Sequence, residues 1–188
     1  MDEGKIYISD KHRRHSIRLK DYDYSQAGAY FVTICTHNRK LIFGDVVEGE
    51  MRLNEYGCVV ETEWIKAADI RKNVELDVFV VMPNHFHGVI IIFGRGDPSG
   101  RPYAPTSPHG PPSGSLGAII GQFKSAASKR INKLRGTPGI PIWQRNYYEH
   151  IIRNEDDLAE IREYIMNNPQ RWEFDKENPT KTRQARPT

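Results

Sequence analysis

The sequence predicts a single α+β domain. Strand-like runs rich in β-branched and aromatic residues alternate with segments whose apolar residues recur every three or four positions, and the 188 residues suffice for one core with no sign of a second. The longest strand-like run, residues 78–93 (VFVVMPNHFHGVIIIF), is apolar enough to be buried on both faces and too short to cross a membrane. It reads as one continuous strand. Side chains alternate faces along a strand, so His85 and His87 point the same way with Phe86 between them.

The formal net charge of +3 is mild and compatible with a phosphate-bearing partner. The chain opens on no signal-peptide pattern, and no apolar run reaches membrane length, so a cytoplasmic protein without membrane contact is expected. Cys35 lies in a strand-like run and Cys58 in a helix-like one. With no C-x-x-C pair to mark a zinc site, both are expected to be reduced core thiols.

Residues 1–25 are polar, and 11–20 (KHRRHSIRLK) hold five Lys or Arg and no acid. Arg13, Arg14 and Arg18 therefore belong to a basic arm that is either a solvated tail or a phosphate contact. Residues 29–36 (AYFVTICT) form the first strand, and 45–52 a second turn or short hairpin. Asn54 can cap a helix whose stripe is Leu53, Tyr56, Val60, Trp64 and Ala67. Strand, helix and strand in that order imply a right-handed crossover that sets the two long strands side by side or nearly so. Residues 94–115 contain five Gly and six Pro and no apolar set to pack, so a flexible loop is expected there.

Residues 116–134 predict a second helix with Ile120, Phe123, Ala127, Ile131 and Leu134 inward. Its other residues include Lys124, Lys129, Arg130 and Lys133 with no acid among them, a face suited to phosphate contact. Residues 140–152 read as a strand or extended hairpin arm, in which Trp143 is expected in the core, His150 in a structural role, and Tyr147 and Tyr148 in packing or DNA stacking. Asn154 can cap a last helix with Leu158, Ile161 and Ile165 buried. Tyr164 and Asn168, four residues apart, share a side of it, and Pro169 ends it. The domain is expected to span 1–175, with Trp172 and Phe174 as late anchors and 176–188 a disordered basic tail.

An H-x-H pair alone leaves several chemistries open. A histidine-triad nucleotide hydrolase would need a third histidine at Val89, and a zinc hydrolase would need a further His or carboxylate that no motif marks. The motifs YFVTICTHNR, VVMPNHFHGVIII, FKSAASKRIN, WQRNYYEHIIR and REYIMNNP, taken together over nearly the whole chain, resemble the IS200-type transposases. Within them the chain is most similar to the REP-associated tyrosine transposase branch of the HUH nuclease group. The resemblance implies a ferredoxin-like antiparallel sheet with helices packed mainly on one face and the histidine strand central. It places the histidine–hydrophobe–histidine motif on His85, Phe86 and His87, and the nucleophile on Tyr164. Where the IS200 branch has Gln as third ligand, this chain has Asn168.

Two imidazole nitrogens and an amide oxygen form an incomplete site for Mg²⁺ or Mn²⁺, with positions left for phosphate oxygens and water. The implied activity is cleavage and rejoining of single-stranded DNA at hairpin-forming repeats through a 5′-phosphotyrosine. The REP-associated branch favours a monomer, the IS200 branch a helix-sharing dimer. A domesticated, non-cleaving nucleic-acid binder is the alternative.

Overall fold

The computed structural model describes residues 22–93 and 114–179. Arg13, Arg14, Arg18 and nearly all of the Gly/Pro-rich segment lie outside the described residues. The elements are β1 (Gly28–Cys35), β2 (Gly44–Val47), β3 (Glu50–Leu53), α1 (Glu55–Asp69), β4 (Val74–Met82), β5 (His85–Ile92), α2 (Leu116–Leu134), β6 (Tyr148–Ile152) and α3 (Glu155–Met166). Four strands make one antiparallel sheet in the order β4-β5-β1-β6. Leaving aside the separate β2–β3 hairpin, this is the ferredoxin-like arrangement, with β5 and β1 central.

The run expected to be one strand over 78–93 is two. Pro83 and Asn84 turn the chain, and Met82 pairs with His85 across the turn. Proline lacks a ladder donor and asparagine bonds readily to local backbone, so both favour a turn over a strand interior. The histidines therefore open β5 instead of lying mid-strand. β5 runs antiparallel to β1 in a register that sets Cys35 opposite His85 and Thr33 opposite His87. The crossover through α1 leads from β1 to β4, and β5 lies between them.

Alternation along the strands separates two chemistries. Tyr30, Val32 and Ile34 of β1 and Phe86, Ile90 and Ile92 of β5 face α1 and α2, where Val60, Trp64, Ile120, Phe123 and Ile131 complete the main core. Gly88 is required there by close packing: a Cβ would stand 2.8 Å from the Phe86 ring and 2.9 Å from Trp64. The opposite face is covered by α3, whose Leu158 and Ile165 pack on Phe31 and Val89. Two helices thus lie on one face, and the third sits with the histidines on the other.

Helix boundaries follow local chemistry. Asn54 Oδ1 accepts from the Tyr56 and Gly57 amides, Ser115 Oγ from Ala118, and Asn154 Oδ1 from Asp157. A register shift in β4 between Leu76 and Phe79 frees Asp77, which accepts from Arg162 Nε and Nη2 at 2.9 and 2.6 Å and anchors α3 to the sheet.

Several expectations change. Cys58 is exposed on α1 rather than in the core. Of 140–152 only Tyr148–Ile152 is a strand, while buried Trp143 meets Thr36 through an isolated bridge. Glu177 and Asn178, which lie in the stretch expected to be tail, are buried, and residues beyond 179 lie outside the described residues. Trp172 packs near His85, whereas Phe174 is exposed.

Candidate functional site

The Pro83–Asn84 turn is held by the loop that follows β1. Pro83 O accepts from the Ile42 and Phe43 amides, and Asn84 O from Thr36. Asn38 and Arg39 adopt positive φ, which bends this loop around the turn. The Asn84 side chain is fixed as well: its Nδ2 donates to Arg39 O (3.2 Å) and Glu177 O (2.7 Å). Its Oδ1 therefore faces His85 Nδ1 at 2.9 Å and must accept from it. That bond puts the His85 proton on Nδ1 and leaves the lone pair on Nε2, a buried atom with no partner among the described residues.

His87 is held in a parallel way. Thr33 Oγ1 lies 2.8 Å from His87 Nδ1, directly across the strand pair. His87 Nε2 faces the Tyr164 hydroxyl at 3.3 Å, and the two imidazole rings are 4.5 Å apart between centroids. Phe31 supports the group from below the rings, 5.4 Å from His87 and 6.1 Å from Tyr164.

α3 ends at Met166, so Asn168 sits in the following turn, its amide donating to Ile165 O. It is buried; Nδ2 donates to Asp175 Oδ2 at 3.4 Å, and Oδ1 has no partner among the described residues. His85, His87 and Asp175 offer ligand atoms that all lie within 4.8 Å of one another and could hold a metal ion. The fit to a hard divalent cation is good: two imidazole nitrogens, a carboxylate and an amide oxygen, with two buried lone pairs otherwise unused.

Burial pushes the His85 imidazolium down to about 4, against the opposing pull of Asp175 and Asn168. Burial also holds His87 well below its usual value, with the neighbouring His85 acting in the same direction. Both rings are thus neutral and ligand-competent at pH 7. Burial raises the Tyr164 phenol, and Asp175 adds to that, so the free side chain is protonated at neutral pH.

The structure brings together His85, His87, Tyr164 and Asn168 from β5 and the end of α3. It does not bring α2 with them, because the apolar stripe of that helix packs on the other face of the sheet. Lys124 is not a free cation: Nζ donates to Gln144 O (2.6 Å) and Arg145 O (3.1 Å), and burial pushes it down to about 8. Arg130 pairs with Glu63 of α1. The side chains of Lys124 and Arg130 are thus engaged within the fold, while Lys129, Arg130 and Lys133 are exposed on α2. Tyr148 is half exposed, and His150 is structural, bonded to Asp157 at 2.9 Å.

Sequence reasoning missed Asp175, Glu177, Asn84 and Thr33. Asn84 carried a signal, as an Asn after Pro directly before the first histidine. Thr33 could follow only from strand register, and Asp175 and Glu177 carry no motif or periodicity.

No protein-family model matches the chain. It is 39% identical over 173 residues to an uncharacterized protein of Haemophilus influenzae, covering 90% of this chain and 95% of that one. The solved structure of a REP-associated tyrosine transposase bound to a REP hairpin aligns with 94% of this chain and 77% of its own, at 19% identity and a TM-score of 0.53. The chain belongs to one family with the Haemophilus influenzae protein, and its fold is that of the REP-associated tyrosine transposase.

Proposed function

We propose that this protein is a metal-dependent single-stranded DNA endonuclease and strand transferase acting at hairpin-forming repeats through Tyr164. The observation that carries the reading is the Tyr164 hydroxyl 3.3 Å from His87 Nε2, beside two buried lone pairs, on His85 and Asn168, that have no hydrogen-bond partner among the described residues. A nucleophile beside converging metal-ligand atoms is what phosphoryl transfer needs. A structure of the same fold is described as bound to a REP hairpin, which favours a palindromic DNA partner.

His85, His87 and Asn168 would hold the ion, Mg²⁺ or Mn²⁺, with Asp175 available as a fourth donor. When bound, the ion would supply positive charge to polarise the scissile phosphate and to offset the raised pKa of the phenol. Tyr164 Oη forms a bond to phosphorus, the bond from phosphorus to the 3′ oxygen breaks, and the phenolic proton is balanced by the proton gained on the released 3′-hydroxyl. The 5′-phosphotyrosine keeps the strand reactive for rejoining, with no external energy source. Asn84 and Thr33 orient the rings so that Nε2 of each faces the reacting groups. Tyr164 meets His87 within one chain, which favours a monomer with a complete site.

The test is a hairpin oligonucleotide carrying single-stranded flanks, incubated with Mn²⁺ and resolved under denaturing conditions. The native protein should give a covalent protein–DNA band, and Tyr164→Phe should give none while retaining hairpin binding. Adducts surviving in Tyr164→Phe would sink the assignment. Gel shifts with no covalent product from the native protein would favour the non-cleaving binder.

A further inference from the structure

A groove of about 540 Å³ opens beside Tyr164, and the chemistry above leaves it without a role. It is lined by Phe31, Tyr148, Gln144, Asn146 and Lys176 among others. Strand register ties it to the site: His87 of β5, Thr33 of β1 and Tyr148 of β6 lie in one row across the sheet. Directly paired residues share a face, so Tyr148 stands two strand spacings, roughly 10 Å, from His87 on the same side. Phe31 bridges the interval, with ring centroids 5.4 Å from His87 and 6.3 Å from Tyr148.

Two features of the groove are those of a nucleotide site. Tyr148 is 49% exposed, although its ring stands edge-on to buried Phe31, so a large aromatic surface faces solvent beside the nucleophile. Lys176 follows Asp175 directly, its side chain is exposed, and among the described residues its ammonium has no hydrogen-bond or ion-pair partner. Only its backbone carbonyl is engaged, by Arg39. An open aromatic ring and an unpaired ammonium on one groove suit a stacked base and a phosphate respectively, and Gln144 and Asn146 add amides able to read a base edge.

We propose that this groove is a nucleotide subsite for single-stranded DNA, in which Tyr148 stacks on the unpaired base next to the scissile phosphate and Lys176 contacts a phosphate of the same strand. The proposal rests on the nuclease reading for the position of that phosphate. A duplex presents no free base face, so the subsite selects single strands over paired stems.

The experiment uses the full chain in EDTA, which prevents turnover, with two fluorescent probes of equal charge: an eight-nucleotide oligothymidylate and the matching abasic octamer. Tyr148→Ala should weaken oligothymidylate binding about tenfold and abasic binding less than about twofold, and Tyr148→Trp should restore affinity. Lys176→Ala should weaken both probes and lower the salt slope by about one. Equal effects of Tyr148→Ala on both probes, or none on either, would overturn the stacking role. An unchanged salt slope in Lys176→Ala would overturn the phosphate contact. Covalent adducts of the native protein on hairpin DNA are scored alongside. Adducts without base-dependent binding defeat the subsite alone, and base-dependent binding without adducts supports the subsite while defeating the nuclease reading.

Discussion

Phe86 and its neighbours His85 and His87 belong to the same strand, yet they face different environments. Phe86 is enclosed by Trp64, Phe79 and Phe123, with ring centroids 4.6, 6.0 and 5.5 Å away, in an apolar core. The histidines look onto α3 and the segment after it, where neighbouring lone pairs of His85 and Asn168 stay unpaired at a cost of about 1–3 kcal/mol each. Among the described residues two core rings, Trp64 and Trp143, also leave an indole nitrogen unpaired, but those are donors on large apolar bodies, and no ligand set surrounds them there. One face is thus built for stability. On the proposed reading the other gives up stability to keep neutral ligands ready, and period-two alternation lets one strand serve both.

The largest effect should come from the core side. Phe86→Ala removes the ring at the centre of that cluster and should cost about 3–5 kcal/mol in urea unfolding, whereas His85→Ala should cost less, about 1–2 kcal/mol in EDTA, because losing its bond to Asn84 Oδ1 is partly offset by removing the unpaired Nε2. Equal destabilisation by the two changes would break the contrast.

The second effect sharpens the contrast through pH. His85 is held at about 4 in the fold, below its ordinary value near 6.5. The unfolded chain binds the extra proton between those values, so stability is intact above about 6.5 and falls as pH drops towards about 4, by roughly 3 kcal/mol from this residue. His87 acts in the same direction. Urea midpoints at pH 7 and pH 4.5 should differ accordingly in EDTA, and His85→Ala should flatten part of the slope. A native profile flat across that window would contradict neutral, buried rings.

A smaller effect concerns the segment after α3. Asp175→Asn should weaken Mn²⁺ binding in titration calorimetry about 10–100-fold, comparable to losses around other metal sites, without lowering the melting temperature of the apo protein. Unchanged affinity would remove Asp175 from the ligand set. The smallest effect belongs to α2: Lys129→Ala combined with Lys133→Ala should change octamer affinity by less than about twofold, because these residues lie across the sheet from Tyr164. A loss as large as that from Lys176→Ala would mean that DNA uses both faces.

Elements with a local cause were legible in the chain: the strand alternation that pairs His85 with His87, the Asn54 and Asn154 caps, and most of the stripes of α1, α2 and α3, although Leu134, expected inward, is exposed at the last turn of α2. The coincidence of Tyr164 and Asn168 with the histidines followed from resemblance, since helix periodicity puts the pair on one side without saying what it faces. The split of 78–93 was written in Pro83–Asn84 but hidden by apolar residues on both sides. The inward turn of Lys124 was not legible, because a basic stripe looks the same whether its amines meet solvent or carbonyls across a packed boundary. Asp175 and Glu177 were invisible for a similar reason. They lie in a polar stretch without periodicity, and only the tertiary contacts of Asn84, Arg39 and Asn168 give them a place.

The central claim is that the Tyr164 phenol, held against His87, is the group that joins DNA. Mass-spectrometric mapping of the peptide in the covalent complex, formed on hairpin DNA with Mn²⁺, tests it most directly. The account predicts a 5′-phosphorylated nucleotide on the peptide containing Tyr164. The same modification on Tyr147 or Tyr148, or no modified peptide from a complex that binds the hairpin, would contradict it.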